Sequence, residues 1–261
     1  MDSTSTNGAG RVLAIVNQKG GVGKSTTAVN LSANLAADGR RILLVDLDPQ
    51  ANATSGLGMN NDARERNVYQ ALLGSTPTVE LIQRTLWPNL DVLCSSIDLA
   101  GAEIELVSAL SRETKLKKAL APLKGSYDMI IIDCPPSLGL LTLNALVAAD
   151  QFIVPVQCEY YALEGLGKLM STIDLVRNDL NPQLRIAGAV MTMYDGRTNL
   201  SRQVVNEVAK YFGDKMFRTL VPRSIRLSEA PSYGQPITVY DPSSKGAIAY
   251  KELALEVCSN G

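Results

Sequence analysis

Short runs of apolar, mostly β-branched residues alternate along the chain with segments whose apolar positions recur at helical spacing. The short runs predict strands, which in chain order are Val12–Asn17, Ile42–Asp46, Leu90–Leu93, Met129–Asp133, Phe152–Val156, Ile186–Met193 and Met216–Leu220. The other segments predict helices, notably Lys24–Ala37, Ala102–Leu120, Leu140–Ala148, Leu163–Asn178, Leu200–Phe212 and Gly246–Val257. Because parallel strands need helical crossovers, this alternation predicts a single α/β domain. Its sheet is expected to be twisted, mostly parallel and flanked by helices on both faces.

The first predicted strand runs into a glycine-rich turn that carries two lysines, and a helix of small residues follows. This turn is formed by Lys19, Gly20, Gly21, Val22, Gly23, Lys24, Ser25 and Thr26. Its backbone N–H groups can point at a polyphosphate, and the helix N-terminus adds its positive dipole. Lys24 would supply charge to the β- and γ-phosphates, while the Ser25 hydroxyl can bind Mg²⁺. We therefore predict a nucleotide-binding P-loop, with a glycine-rich surface turn as the alternative.

Two further predicted strands end in carboxylates. Asp46 and Asp48 close the second strand two residues apart, so both side chains point the same way if the chain stays extended. Asp133 closes another strand after three isoleucines. Mg²⁺ prefers oxygen ligands and often keeps its waters, so Asp46 and Asp133, with Ser25, are predicted to hold it largely through its hydration shell. The alternative is that these aspartates are turn residues or helix caps.

The amino-acid composition excludes several classes of catalytic and metal site. The chain of 261 residues contains no histidine, which excludes a histidine-based triad, histidine-ligated zinc and imidazole acid–base catalysis. Its four cysteines form no C-x-x-C pair, which favours reduced thiols over a disulfide framework or a zinc site. No signal peptide or apolar span of about 18 residues is evident, so we expect a cytoplasmic protein. Residues 1–10 are polar and small, and we expect a flexible tail or, alternatively, a partner-binding arm.

Positive charge is concentrated in one segment of a nearly neutral chain, whose formal net charge is −1. Between Gly196 and Arg226, seven cationic side chains stand against two acidic ones, a net charge of +5. Such a segment is typical of a surface that binds the phosphate backbone of nucleic acids. Without a recognition-helix motif or interleaved aromatic residues, binding is expected to be non-specific in sequence. The alternative is a solvated helix face.

The lysine at the front of the glycine-rich turn, Lys19, is the signature of a deviant Walker A motif, and the chain resembles the ParA/MinD ATPases. Longer strings narrow the resemblance to the ParA/Soj partition ATPases; they are Asp46–Gly58, Gly101–Leu106, Asp133–Gly139, Pro155–Gly165, Arg223–Ser232 and Tyr240–Gly246. The resemblance extends from Arg11 to Val257 and implies one ATPase domain over residues 11–261.

That resemblance also implies roles for individual residues. In an ATP-dependent homodimer, Lys19 would reach the phosphates of the partner subunit. The segment Gln157–Gly165 would line the interface or, alternatively, be an ordinary loop between a strand and a helix. Asp48 would orient the attacking water, so Lys19, Lys24 and Asp48 are the predicted catalytic residues. Pro222 and Arg223 occupy a loop that approaches the adenine in the relatives.

Two arginines, Arg197 and Arg226, align with DNA-contacting arginines of Soj proteins. The resemblance therefore implies a Mg²⁺-dependent ATPase that binds non-specific double-stranded DNA in its ATP state and associates with the nucleoid. A ParB-type partner would stimulate its slow hydrolysis and so drive chromosome or plasmid partitioning. The alternative is a MinD-like positioning ATPase that associates with membranes. The segment Tyr250–Gly261 disfavours it, because this segment is acidic on balance and short of bulky aromatic residues, so no membrane partner is expected.

Overall fold

The computed structural model describes residues 10–60, 62–160, 162–163 and 165–259, so residues 1–9 of the predicted tail lie outside the described part. The strands are β1 (Arg11–Ile15), β2 (Ile42–Asp46), β3 (Gln83–Arg84), β4 (Leu90–Leu93), β5 (Met129–Asp133), β6 (Gln151–Gln157), β7 (Arg185–Tyr194) and β8 (Met216–Pro222). The first helices are α1 (Lys24–Ala37), α2 (Asn52–Gly56), α3 (Val68–Leu73), α4 (Thr78–Leu81), α5 (Leu99–Leu106) and α6 (Lys115–Leu120). The remaining helices are α7 (Leu140–Ala148), α8 (Leu166–Asp179), α9 (Asn199–Phe212), α10 (Ile225–Glu229), α11 (Ile237–Tyr240) and α12 (Lys245–Ser259).

Within the described residues, the strands form one eight-stranded sheet in the order β3-β4-β2-β5-β1-β6-β7-β8. Every neighbouring pair is parallel except β3 with β4 at one edge. The strand order reverses beside β1, and in such sheets ligands bind outside the carboxyl ends of the strands at that point. The predicted fold class is confirmed, and it places the ends of β1, β2 and β5 at one edge.

Successive side chains of each strand point to opposite faces of the sheet, and helices cover both faces. In β1, Val12 and Ala14 face a core formed with α3 and α5 to α9, whereas Leu13 and Ile15 face a core formed with α1 and α12. This two-sided burial explains why the strands are continuous apolar runs rather than alternating patterns.

The predicted helix Ala102–Leu120 is wrong as a single element, since the chain forms α5 and α6 with a turn between them. Ser111 adopts a left-handed conformation in this turn, with φ of 52°. The Arg112 guanidinium donates to the Val107 carbonyl (2.7 Å), which satisfies an acceptor at the end of α5. Asn144 on α7 donates to the Arg112 carbonyl (2.8 Å) and accepts from the Leu116 N–H (3.1 Å). A tertiary contact therefore overrides the helical pattern.

The C-terminal helix α12 packs into the core. Tyr250, Leu253 and Val257 are buried among the residues that cover one face of the sheet. The Glu256 carboxylate accepts from the backbone N–H groups of Arg218 and Thr219 on the edge strand β8, both at 2.8 Å. The helix is thus fixed to the domain along its length, unlike a free amphipathic anchor. Among the described residues, no helix is long and apolar enough to cross a bilayer.

Candidate nucleotide site and adjoining basic surface

The loop between β1 and α1 is held in a conformation suited to phosphate. Gly21 and Gly23 have φ of 75° and 87°, a region that side chains disfavour. The Val22 carbonyl accepts from the Thr192 hydroxyl of β7 (2.9 Å). Asn17 also braces the loop, because its side chain accepts from the Lys19 N–H at 3.0 Å. These contacts leave the glycine backbone open to the cavity.

Lys24 lies at the start of α1 and is buried. Its ammonium donates to the carbonyl oxygen of Lys19 at 2.9 Å. Burial lowers the pKa of Lys24, and electrostatic interactions with Asp133, Cys134 and Asp48 oppose that effect. An ammonium has three N–H donors, so Lys24 keeps donors for a phosphate beside this carbonyl.

Asp133 differs from the other carboxylates of the site in its hydrogen bonding. It is fully buried, and neither of its oxygens has a hydrogen-bond partner within the described ranges. Burial raises its pKa well above the ordinary value, the neighbouring Asp46 raises it further, and Ser25 and Lys24 oppose the rise. A buried carboxylate without partners is costly. Because Mg²⁺ favours oxygen donors and keeps waters, Asp133 and Ser25 fit a magnesium site.

Asp46 pairs in register with Asp133 across β2 and β5, but its environment differs. Its oxygens accept from the Thr54 N–H (2.7 Å), the Thr54 hydroxyl (2.8 Å) and the Asp48 N–H (3.1 Å). Burial raises the pKa of Asp46 to about 6. These hydrogen bonds let Asp46 hold Asp48 and α2 in position, and its predicted role towards Mg²⁺ through the hydration shell stays a prediction.

A cavity of about 570 Å³ lies against this edge of the sheet. It brings together predicted residues from distant parts of the chain, which are Gly20, Gly21, Gly23, Lys24, Ser25, Thr26, Asp48, Pro222 and Arg223. Asp48 is held there because its carboxylate accepts from the Gln50 N–H (2.9 Å) and its carbonyl accepts from the Ser95 hydroxyl (2.7 Å). Lys19, Val22, Asp46 and Asp133 are predicted site residues outside this lining.

Other lining residues were not predicted. They come from the turn before α2, from α2, β7, α10, the segment after α10 and α12, and they include Gln50, Asn52, Thr192, Leu227, Pro231, Gln235 and Tyr250. Tyr250 exchanges a hydrogen bond with the Thr27 hydroxyl (3.1 Å) at the start of α1. Asn30 accepts from the Ile237 N–H (2.7 Å) and so ties α11 to α1. The sequence carried one signal for these contacts: α1 is a buried helix that nevertheless contains polar residues such as Thr27 and Asn30, which need hydrogen-bond partners.

Lys19 forms an ion pair with Glu159 and is half-exposed. Glu159 belongs to the segment Gln157–Gly165, in which residues 161 and 164 lie outside the described ranges. This segment lies against the loop, since a methyl group at Gly165 would come within 2.6 Å of the Gln18 amide nitrogen. The structure therefore places Lys19 beside its own cavity rather than in it.

Both predicted DNA-binding arginines are paired with carboxylates. Arg197 donates to both oxygens of Asp195, at 2.9 and 2.7 Å, and this contact lowers the pKa of Asp195 to about 2. Arg226 forms ion pairs with Glu229 (3.0 Å) and Asp241 (3.5 Å).

The carboxylates that pair with these arginines lower the net positive charge that the sequence indicated for this surface. Asp195, Glu229 and Asp241 lie outside the segment that was counted. Between Asp195 and Asp241 the same seven cations stand against five acids, a net charge of +2. The basic surface is thus weaker in this conformation than the sequence indicates.

A glycine loop, a buried lysine and strand-end aspartates at the carboxyl edge of a parallel sheet together define a P-loop nucleotide-binding protein. A family model described as an AAA domain matches residues 10–186. The sporulation initiation inhibitor protein Soj of Bacillus subtilis is 58% identical over 252 residues, which are 97% of this chain and 100% of Soj. The chromosome partitioning protein ParA of Myxococcus xanthus is 55% identical over 248 residues, covering 95% of this chain and 88% of ParA. The chain belongs to the Soj/ParA family of chromosome-partitioning ATPases.

A solved structure shares the fold and contains the expected ligands. The protein named cobyrinic acid a,c-diamide synthase from Mycobacterium smegmatis, with bound ADP and magnesium, is 44% identical with a TM-score of 0.83. The match covers 94% of this chain and 92% of that one. Together these relatives confirm the predicted family, the ATPase class and the cofactors, ATP and Mg²⁺.

Proposed function

We propose that this chain is an ATP-driven switch that binds non-specific double-stranded DNA as a homodimer and partitions a chromosome or plasmid. A ParB-type partner would stimulate its hydrolysis, and the ATP state would associate with the nucleoid. The names of the relatives, Soj and ParA, support the partitioning role. The geometry of the cavity supports the nucleotide chemistry.

In this proposal, the backbone N–H groups from Gly20 to Thr26 and the Lys24 ammonium hold the polyphosphate. Ser25 and Asp133 hold Mg²⁺, which offsets negative charge on the phosphates when bound. Asp48 orients or deprotonates the attacking water, because it is a buried carboxylate that lines the cavity. Asp46 keeps Asp48 in place through the Asp48 N–H.

Lys19 acts in the partner subunit. Its ammonium lies outside its own cavity and pairs with Glu159, so it must exchange this carboxylate for phosphate when two subunits meet. A cation supplied in this way stabilises the charge of the transferring phosphoryl group. Hydrolysis then removes the ligand that joins the subunits, and the dimer separates.

One observation carries the link between nucleotide and DNA. Pro222, Arg223 and Leu227 line the nucleotide cavity, while Arg226 in the same segment is exposed on the outside. A nucleotide that packs against this wall therefore acts on the segment that presents Arg226. Dimerisation would add a second copy of the Arg197 and Arg226 surface, which raises affinity for a polyanion steeply.

The test is binding of a random-sequence DNA duplex without nucleotide, with ADP and with ATP–Mg²⁺, at two salt concentrations. Vesicles of anionic lipid are the control. We expect DNA binding only with ATP–Mg²⁺ and a steep loss of affinity at high salt. ATP-dependent vesicle binding without DNA binding would refute the proposal in favour of a membrane-associated positioning ATPase.

A further inference from the structure

Helix α5 presents apolar side chains to solvent. Its inner face packs into the core through Leu99, Ala102 and Leu106. Its outer face is exposed, and Ile104 retains 77% of its accessible surface. At 100° per residue, the outer face is formed by Ile97 in the preceding turn, Ala100, Ile104 and Val107. We call these four residues the α5 strip. A helix that is apolar on its solvent side as well as its core side has a surface suited to a partner.

Carboxylates border the α5 strip on both sides. Helical geometry places Glu103 along one side of Ile104 and Glu105 along the other. Within the described residues, neither carboxylate forms an ion pair, although Glu105 accepts from the Tyr69 hydroxyl at 2.9 Å. An apolar strip between two uncompensated acids is complementary to an amphipathic segment with basic flanks.

Glu103, which borders the α5 strip, connects helix α5 to a loop that lines the nucleotide cavity. A methyl group at Gly139 would lie 2.5 Å from a carboxylate oxygen of Glu103, so this side chain rests on the residue before α7. Gly139 ends the loop that begins after Asp133. Pro136 of the same loop lines the cavity and lies 3.8 Å from the position of a methyl group on Gly20. Helix α5 therefore lies against the end of a loop that itself lies beside the phosphate loop.

From this arrangement we infer that the α5 strip is the docking site for a basic amphipathic segment of the protein that stimulates hydrolysis. This inference rests on the proposed function and names the surface through which its partner acts. A second copy of the chain is a poorer occupant, because two α5 strips would bring four glutamates together. A bilayer of anionic lipid is disfavoured by the same charges.

The experiment measures ATP hydrolysis by the full chain with DNA while the cognate ParB-type protein is titrated. The variant Ile104→Ser/Val107→Ser removes the apolar part of the α5 strip and leaves the core residues of α5 unchanged. Leu175→Ser on α8 is the matched control, since Leu175 is also apolar and 62% exposed. Glu105→Lys tests the charge separately, at low and high salt.

We expect the double variant to need roughly tenfold more partner for half-maximal stimulation, since anchor residues carry most of the binding energy of an interface. Glu105→Lys should weaken stimulation at low salt more than at high salt. The Leu175→Ser control should match the wild type.

Stimulation of the double variant at wild-type partner concentrations would overturn the inference and leave the proposed function standing. A wild-type chain that the partner fails to stimulate would overturn both. Sedimentation of the same variants tests whether a second copy of the chain occupies the α5 strip instead. If the double variant alone lost ATP-dependent dimerisation, the α5 strip would belong to the dimer interface and the docking site would be refuted.

Discussion

Two glycines in close contact join the end of α2 to the segment after α10, and residues of both elements line the nucleotide cavity. Gly58 follows α2, Gly234 follows the segment after α10, and their φ angles are 71° and 63°. A methyl group at Gly234 would lie 2.5 Å from the Gly58 Cα and 3.0 Å from its nitrogen. Because both neighbours are backbone atoms, they cannot turn aside as a flexible side chain would. Gly234→Ala should therefore push apart two walls of the cavity.

The magnitude follows from two separate costs. A left-handed conformation costs an alanine about 1–2 kcal/mol relative to glycine. Forcing an extra carbon into a packed contact costs a further ~1–3 kcal/mol. Gly74→Ala is the matched control, because Gly74 has φ of 72° and no heavy atom within 4 Å of the added carbon. The control should show only the first cost.

Urea unfolding of the nucleotide-free chain measures both variants, and titration with a fluorescent ATP analogue measures the cavity. We expect Gly234→Ala to lose about 1–3 kcal/mol more stability than Gly74→Ala. We also expect it alone to bind the analogue more weakly. Equal losses of stability in the two variants, or unchanged nucleotide affinity in Gly234→Ala, would refute the reasoning from the close contact.

Three further predictions concern the carboxylates of the site and of the basic surface. Asp48→Ala should trap an ATP-bound dimer that still binds DNA, because the attacking water loses its base; normal turnover in this variant would exclude Asp48 from catalysis. Glu229→Gln should raise affinity for duplex DNA several-fold at low salt by freeing Arg226 from an opposing charge, and unchanged affinity would place the DNA contact elsewhere. Burial raises the pKa of Asp133 well above the ordinary value of about 4, so between its unfolded and folded pKa values this carboxyl keeps its proton only in the folded state, and the stability it contributes is lost as the pH rises. The stability of metal-free Asp133→Asn relative to wild type, measured by urea unfolding, should therefore increase from pH 5 to pH 8. A constant difference would contradict the prediction.

Much of the fold could be predicted because its elements are short-range patterns. The bounds of β2, β4, β5, α1 and α7 agree with the predicted ones. Strands buried on both faces are continuous apolar runs, so their ends are sharp and the polar residues that follow them are conspicuous. Helix α5 and the turn after it were not predictable in this way, since Asn144 on α7 decides where the helix stops.

The candidate site, like the fold, has some features that could be predicted from the sequence and others that could not. The amino-acid sequence by itself determined the phosphate loop and its two lysines, because backbone geometry and charge there depend on consecutive residues. It also placed Asp48 and Asp133 at the ends of strands, and parallel pairing brings such ends to one edge.

Only the tertiary structure decided which groups these side chains meet. Asp46 and Asp133 end adjacent strands alike, yet Thr54 satisfies the first while the second has no hydrogen-bond partner within the described ranges. Glu229 and Asp241 likewise offset Arg226. The physical reason is that hydrogen bonds and charge pairs act over a few ångströms in space, and segments distant in sequence supply the partners.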